Sequence, residues 1–342
     1  MKKNPKRKKF DRNSAFSMNL SDPNSSEKDA TYCMIALDDR LICFSEKSIK
    51  EILTAETIDP DNEFPETRHS YQSLYNIGTN NSFVARTIIQ AHDILDSVFL
   101  REGLETQKIL DHVWTCSKLL LNCEESCHKI FNQTTELIHQ CDSIISRHKE
   151  STFIPQLPQV EDLEQHVVSF LGYAKRFLED SHKLFCIFFD SPNFESNFKS
   201  YRDWIRKNQP DSENLIKFLE QDKDWIQLIA WSRNALDANH SKPQFKVTIE
   251  NFKIHKGNKF SSPTWRYDFR EKNGDLQNAP SDIVTDMNIH MTNMLTFFEE
   301  MFLLCIKDNW NNNFNFQLYK HPDEKINKKC PTLYFVSLKQ QA

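Results

Sequence analysis

Glycine is scarce in this chain: 5 of 342 residues, at Gly78, Gly103, Gly172, Gly257 and Gly274. No two lie close enough to build a phosphate-cradling loop or a dinucleotide turn, both of which need several glycines together. That argues against P-loop enzymes, Rossmann dehydrogenases and kinases. It suits helices, whose interiors glycine weakens by about 1 kcal/mol relative to alanine. A strong excess of one charge is also missing. The 43 Lys+Arg stand against 48 Asp+Glu, a net of -5, so affinity for phosphate has to come from a local patch. Long apolar runs are absent as well. The run Leu184 to Phe189 is far below the ~20 residues of a membrane-spanning helix, so a soluble protein with no membrane partner is expected. Cysteine is present nine times, an odd number. The basic start, Lys2-Lys3-Asn4-Pro5-Lys6-Arg7-Lys8-Lys9, is followed by no apolar core. Both features point to a reducing compartment, the cytoplasm, without a disulfide framework.

What is present is apolar and helical. Apolar residues make up 39% of the chain and include 26 Phe, enough for a sizeable core. Residues 1–30 are polar and charged and read as a disordered basic tail, a solubilising segment whose Lys2–Lys9 cluster also suits RNA or a membrane surface. Tyr32 to Leu37 and Leu41 to Phe44 flank Asp38-Asp39-Arg40, predicting a β-hairpin near 31–45. Helices are expected over Ser48 to Thr57, and from the caps Asn80-Asn81-Ser82 to about Glu102. The stretch from Thr106 to about Lys149 holds no Pro or Gly and reads as one long helix or two joined by a bend. After a linker carrying Pro155 and Pro158, helices are expected over Val160 to Phe189, Phe194 to Lys207, and from Asp211-Ser212 to about Asn239. The period then changes: Phe245 to Ile249 and Trp265 to Phe269 alternate as strands of a β-insert near 245–270. Asp282 to Ile306 returns to helix with a core stripe of Met287, Met291, Met294, Leu295, Phe298 and Phe302. Two late strands, Phe314 to Leu318 and Thr332 to Val336, fall within 314–338. The expected fold is mainly α: one helical domain over 31–342, a bundle with a small antiparallel β-sheet or hairpins.

Several chemistries find no support. His112, Cys116, Cys123, Cys127 and His128 share a helical stretch, but zinc sites draw closely spaced pairs from knuckle-like loops. Small apolar cysteines on a buried stripe explain the spacing. No two carboxylates stand apart as an acid/base pair, and no Gly-x-Ser-x-Gly elbow occurs. Neither a metal nor a cofactor is expected.

Arginine with histidine remains. The stretch Trp231-Ser232-Arg233-Asn234-Ala235-Leu236-Asp237-Ala238-Asn239-His240 sets His240 seven positions after Arg233, with Asn234 between them. Arg86/His92 and Arg176/His182 have similar spacing, but neither Arg is followed by Asn. A step of seven on a regular helix returns to within about 20° of the same face, whereas a step of six lands about 120° away. Arg233 and His240 therefore share a side if the helix persists to His240. The structural alternative is an Arg paired with Asp237 and an ordinary C-terminal His.

An Arg, a neighbouring polar residue, then a His after four to six residues resembles the signature of the higher eukaryote and prokaryote nucleotide-binding (HEPN) superfamily. The match covers a few residues and their helical setting. What the resemblance implies is metal-independent RNA cleavage by Arg233, Asn234 and His240, often with two motifs meeting across a homodimer. Toxin–antitoxin and phage-defence systems are the implied setting, with a cognate antitoxin or other regulator as partner. The alternative it implies is a non-catalytic module that binds a nucleotide, RNA or a protein.

Overall fold

The computed structural model describes residues 29–64, 66–194, 198–237, 245–271, 274–311 and 316–338. The basic tail expected over 1–30 therefore lies almost wholly outside the described residues. Helix accounts for 52% and strand for 19%, with the strands in four small antiparallel sheets among the described residues. The mainly-α expectation is thus corrected: the fold is an α/β mix. Most of the uncounted strand is short and polar, which hides the two-residue period that marks a half-buried strand.

Along the chain, β1 (Thr31–Leu37), β2 (Arg40–Ser45), β3 (Ile49–Leu53) and β4 (Ser70–Tyr75) form one antiparallel meander in that order. The β1–β2 hairpin turns on Asp38 and Asp39, both at positive φ. That is the geometry of a tight two-residue turn, and Asp tolerates it. Strand β3 replaces the helix expected over Ser48 to Thr57. Ile49 and Ile52 are buried in the sheet, and only α1 (Ala55–Ile58), capped by Thr54, is helical there. Then α2 (Ser82–Val84), a π segment (Ala85–Ile89) and α3 (Gln90–Leu95) run on without a break. Asn81 caps the start by accepting from the Phe83 amide.

The long stretch resolves as one helix, α4 (Thr106–Arg147), of 42 residues and roughly 63 Å at 1.5 Å per residue. The helix expected over Val160 to Phe189 is two, α5 (Leu163–His182) and α6 (Leu184–Phe189). After α7 (Phe198–Asn208), the next expected helix is also two, α8 (Glu213–Gln221) and α9 (Lys223–Ala235), divided at Asp222. Strand β5 (Phe245–Glu250) follows, then the β6 (Lys253–His255) and β7 (Lys259–Ser261) hairpin, β8 (Thr264–Glu271), β9 (Gly274–Gln277) and β10 (Ser281–Asp282). The expected Phe245 and Trp265 strands do pair, Val247 opposite Tyr267 and Ile249 opposite Trp265. Asp282 caps α10 (Ile283–Asp308) by accepting from the Thr285 amide at 2.8 Å. The late strands are β11 (Phe316–Lys320) and β12 (Tyr334–Leu338), paired antiparallel.

Two compact units result. The first holds the described residues of Met1–Phe99, Glu105–Trp114 and Asn311–Ala342; the second holds Leu100–Leu104 and Thr115–Trp310. In the first, Trp114 packs edge-on against Phe44 (5.5 Å) and Tyr75 (6.2 Å). Gly78 passes so close to the Ser45 carbonyl that a Cβ would sit 2.1 Å from its oxygen. In the second, α10 supplies the core: Met287, Met291, Met294, Leu295, Phe298 and Phe302 are all buried. Among the described residues α10 is the one helix long and apolar enough to cross a membrane, and 56% of that window is buried inside the fold. Trp265, fully buried, donates its indole N–H to Asp286 at 2.6 Å, and Ser281 donates to the same oxygen. This satisfies a carboxylate beneath the β5–β8 sheet.

Candidate functional site

Helix α9 buries Ile226, Ile229, Ala230 and Ser232. The Ser232 hydroxyl turns back to the Leu228 carbonyl at 2.7 Å. One and two residues further round, Arg233 and Asn234 leave the core in the last turn. Exposed carbonyls at a helix C-terminus favour a cation there. The Arg233 side chain is 34% exposed and forms an ion pair with Asp237, four residues on and 21% exposed. Helix α5 packs beside α9 and brings Lys175 to the same place: its ammonium donates to Asn234 Oδ1 at 3.4 Å and pairs with Glu179 at 3.4 Å. Two cations, two carboxylates and an amide thus form one polar cluster across two helices of the second unit.

The helix does not reach His240. It ends at Ala235, with the Leu236 and Asp237 amides both turned to the Asn234 carbonyl. A step of seven keeps Arg233 and His240 on one face only along a helix that runs to about Asn239, and α9 stops short of that. His240 itself lies outside the described residues, as does the Pro243 that follows. Arg233 and Asn234 are brought together by the structure, and Lys175 joins them from 59 residues away. No local sequence pattern marks Lys175; only the packing of α5 on α9 reveals it.

The two rival Arg/His pairs fare differently. Arg176 and His182 both lie on α5, but Arg176 reaches out to Asp180 with its side chain 70% exposed, while His182 is 1% exposed. They face apart. Arg86 lies in the π segment, so the regular-helix argument does not apply to it. Its counterpart His92 is held by Asp93 at 3.2 Å and Asp96 at 3.6 Å. The hydrogen bond that its ring N–H donates to the Asp93 carboxylate raises the pKa of that imidazole over the opposing effect of burial.

Among the described residues no group of three or more His, Cys, Asp and Glu is placed to hold a metal ion. Cys116, Cys123 and Cys127 are buried, and burial pushes the Cys127 thiol up to about 11. They are neutral core groups, and a thiolate ligand is far from their ordinary state. An open groove of about 680 Å³ lies at the start of α5, lined by Val160, Asp162, Leu163, Glu164, Val168 and Ile249. Lys175 is twelve residues along α5 from Leu163, roughly 18 Å, so the groove is not part of the Arg233 cluster. No protein-family model matches the sequence, and comparison with characterised proteins and with solved structures found no significant match.

Proposed function

We propose that this chain is a metal-independent endoribonuclease of the HEPN type, acting through Arg233, Asn234 and His240. The observation that carries the reading is the polar cluster at the end of α9. Arg233 and Asn234, the two of the motif's three residues that the structure describes, stand together there, partly exposed, with Lys175 added from α5. The chemistry suits these groups. An RNA 2′-hydroxyl attacks the adjacent phosphorus, the 5′-oxygen leaves, and a 2′,3′-cyclic phosphate forms. Negative charge builds on the non-bridging oxygens, which a planar guanidinium binds by two hydrogen bonds. Lys175 adds a second cation, and the Asn234 amide orients the phosphate. His240 takes or gives the proton, since imidazole titrates in the working range.

One imidazole does not serve readily as base and acid in the same step. A homodimer with two His240 side chains in one composite site meets that need, and a strictly monomeric protein by light scattering that still cuts RNA removes it. The setting that goes with this activity is cytoplasmic, as a toxin or phage-defence effector held by a cognate antitoxin or regulator. The reading is tested with purified protein, single-stranded RNA and EDTA. Cleavage leaving cyclic phosphate ends, crippled by Arg233→Ala and by His240→Ala with folding intact, supports it. Equal cleavage by both variants removes it.

The Arg233–Asp237 ion pair favours a second reading, a non-catalytic module that binds a nucleotide, RNA or a protein. A carboxylate already on the guanidinium offsets the charge a transition state would use. Binding of RNA without turnover selects this reading.

A further inference from the structure

Strands β11 and β12 form a sheet of two strands, with Tyr319 directly opposite Phe335. The His321 amide donates to the Leu333 carbonyl at 2.8 Å and adds a rung at the loop end. Side chains alternate across a strand, so Gln317, Tyr319 and His321 share one face with Phe335 and Ser337. The rings on that face form a row. His321 stacks on Phe335 at 4.3 Å and 23°, and Tyr319 on Phe335 at 5.8 Å and 30°. Gln317 and Ser337 beside them are exposed and the three rings are only half-buried. This face does not seal a core.

The loop end of the hairpin is fixed. Gln90, buried in the first unit, accepts the Leu333 and Tyr334 amides on its Oε1 at 2.7 and 2.8 Å, and the Thr79 hydroxyl donates to the Lys329 carbonyl at 2.8 Å. The loop that leaves His321 carries Lys325, Lys328 and Lys329, all exposed. Lys329 pairs with Glu46 at 3.0 Å, whereas no ion pair of Lys325 or Lys328 occurs among the described residues. From Phe316 to Leu338 the charged groups are Lys320, Lys325, Lys328 and Lys329 against Asp323 and Glu324, a local positive excess in an acidic chain.

We propose that this hairpin face binds single-stranded RNA, with bases stacking on the Tyr319 and His321 rings that Phe335 holds in a row and phosphates meeting Lys325 and Lys328. Stacking platforms of this kind accept any base, because every base offers a π-face, and loop cations follow the backbone. A duplex keeps its bases paired and stacked on each other and cannot use the rings. The choice of RNA over DNA rests on the nuclease reading above; the stacking row and the loop charge do not.

The test uses the intact chain and a fluorescein-labelled 2′-O-methyl uridine dodecamer, which offers no 2′-hydroxyl for cleavage, with a twelve-base-pair RNA duplex as comparison. Anisotropy titrations should show the single strand bound and the duplex at least about tenfold weaker. His321→Ala and Phe335→Leu should each weaken the single strand about tenfold, with unchanged circular dichroism, and Phe335→Tyr should retain binding. Replacing Lys325 and Lys328 by Gln together should lower the slope of log affinity against log salt by about 1.4, or 0.7 per lost phosphate contact. Equal binding of duplex and single strand, no binding at all, or single-strand affinity unchanged by both ring variants overturns the proposal. Binding through the hairpin by a protein that never cuts RNA sinks only the nuclease. Cutting by a protein whose ring variants bind unchanged sinks only the hairpin.

Discussion

Mild acid should destabilise the second unit through one residue. His182 ends α5 with its ring among Phe185, Phe198, Tyr201 and Phe297, and its Nδ1–H donates to the Leu178 carbonyl at 2.7 Å. Burial pushes its pKa down; the Leu178 carbonyl opposes this, Arg202 adds to it, and the outcome is about 4 against an ordinary 6.5. The unfolded chain therefore binds this proton more readily than the folded one. The stability contributed by the neutral ring is fully present above pH 6.5 and is lost as pH falls from there toward 4. At 1.36 kcal/mol per pH unit the whole loss is about 3 kcal/mol, of which about 2 kcal/mol falls between pH 7.5 and pH 5. Urea unfolding at those two pH values, compared with His182→Phe, isolates it. The variant keeps an aromatic ring in the cage and removes the titration. Wild type should lose about 2 kcal/mol more than the variant over that interval. Equal losses in the two proteins would refute the burial argument.

Gln90→Leu removes one acceptor that serves two backbone amides, so the loss should be about 2 kcal/mol or more. Hydrogen exchange at Leu333 and Tyr334 should rise well before that of the β1–β4 sheet; equal protection in the variant contradicts the anchoring role. Asp237→Asn should change stability by no more than about 0.5 kcal/mol, as a partly exposed pair four residues apart on a helix end contributes little. Competition for the guanidinium falls at the same time, so RNA should bind about twofold tighter by anisotropy, since 0.5 kcal/mol is close to a factor of two. Weaker binding would show that Asp237 positions Arg233 and does not compete for it.

Local chemistry made some of this fold readable in advance. Asp38-Asp39 marks a turn because Asp accepts positive φ, and Asp282 marks a helix start because its carboxylate caps an amide. The Phe245 and Trp265 strands show because their apolar residues alternate, and the α10 stripe shows because its residues recur at helical spacing. Other features are decided by tertiary packing. Ile49 and Ile52, three apart among Lys and Glu, carry a helical period, yet pairing with β2 makes them strand. Strand β4, Ser-Tyr-Gln-Ser-Leu-Tyr, has too few apolar residues to show a period at all. The chain breaks at Lys183 and Asp222 without proline or glycine. Of the candidate site, Arg233 and Asn234 stand next to each other in sequence, but Lys175 arrives only through α5 packing on α9, and the helix end at Ala235 is marked by no Gly or Pro nearby.

The most direct measurement of the nuclease reading is a time course on 5′-labelled single-stranded RNA in EDTA, with wild type beside Arg233→Ala, Lys175→Met and His240→Ala. General acid–base catalysis contributes about 10²–10⁴ in rate. Wild type should produce fragments ending in 2′,3′-cyclic phosphate, His240→Ala should be slower by about that range, and the two cation variants should be impaired while remaining folded. RNA left intact by wild type, or cut equally by all four proteins, contradicts a catalytic role for the cluster at the end of α9.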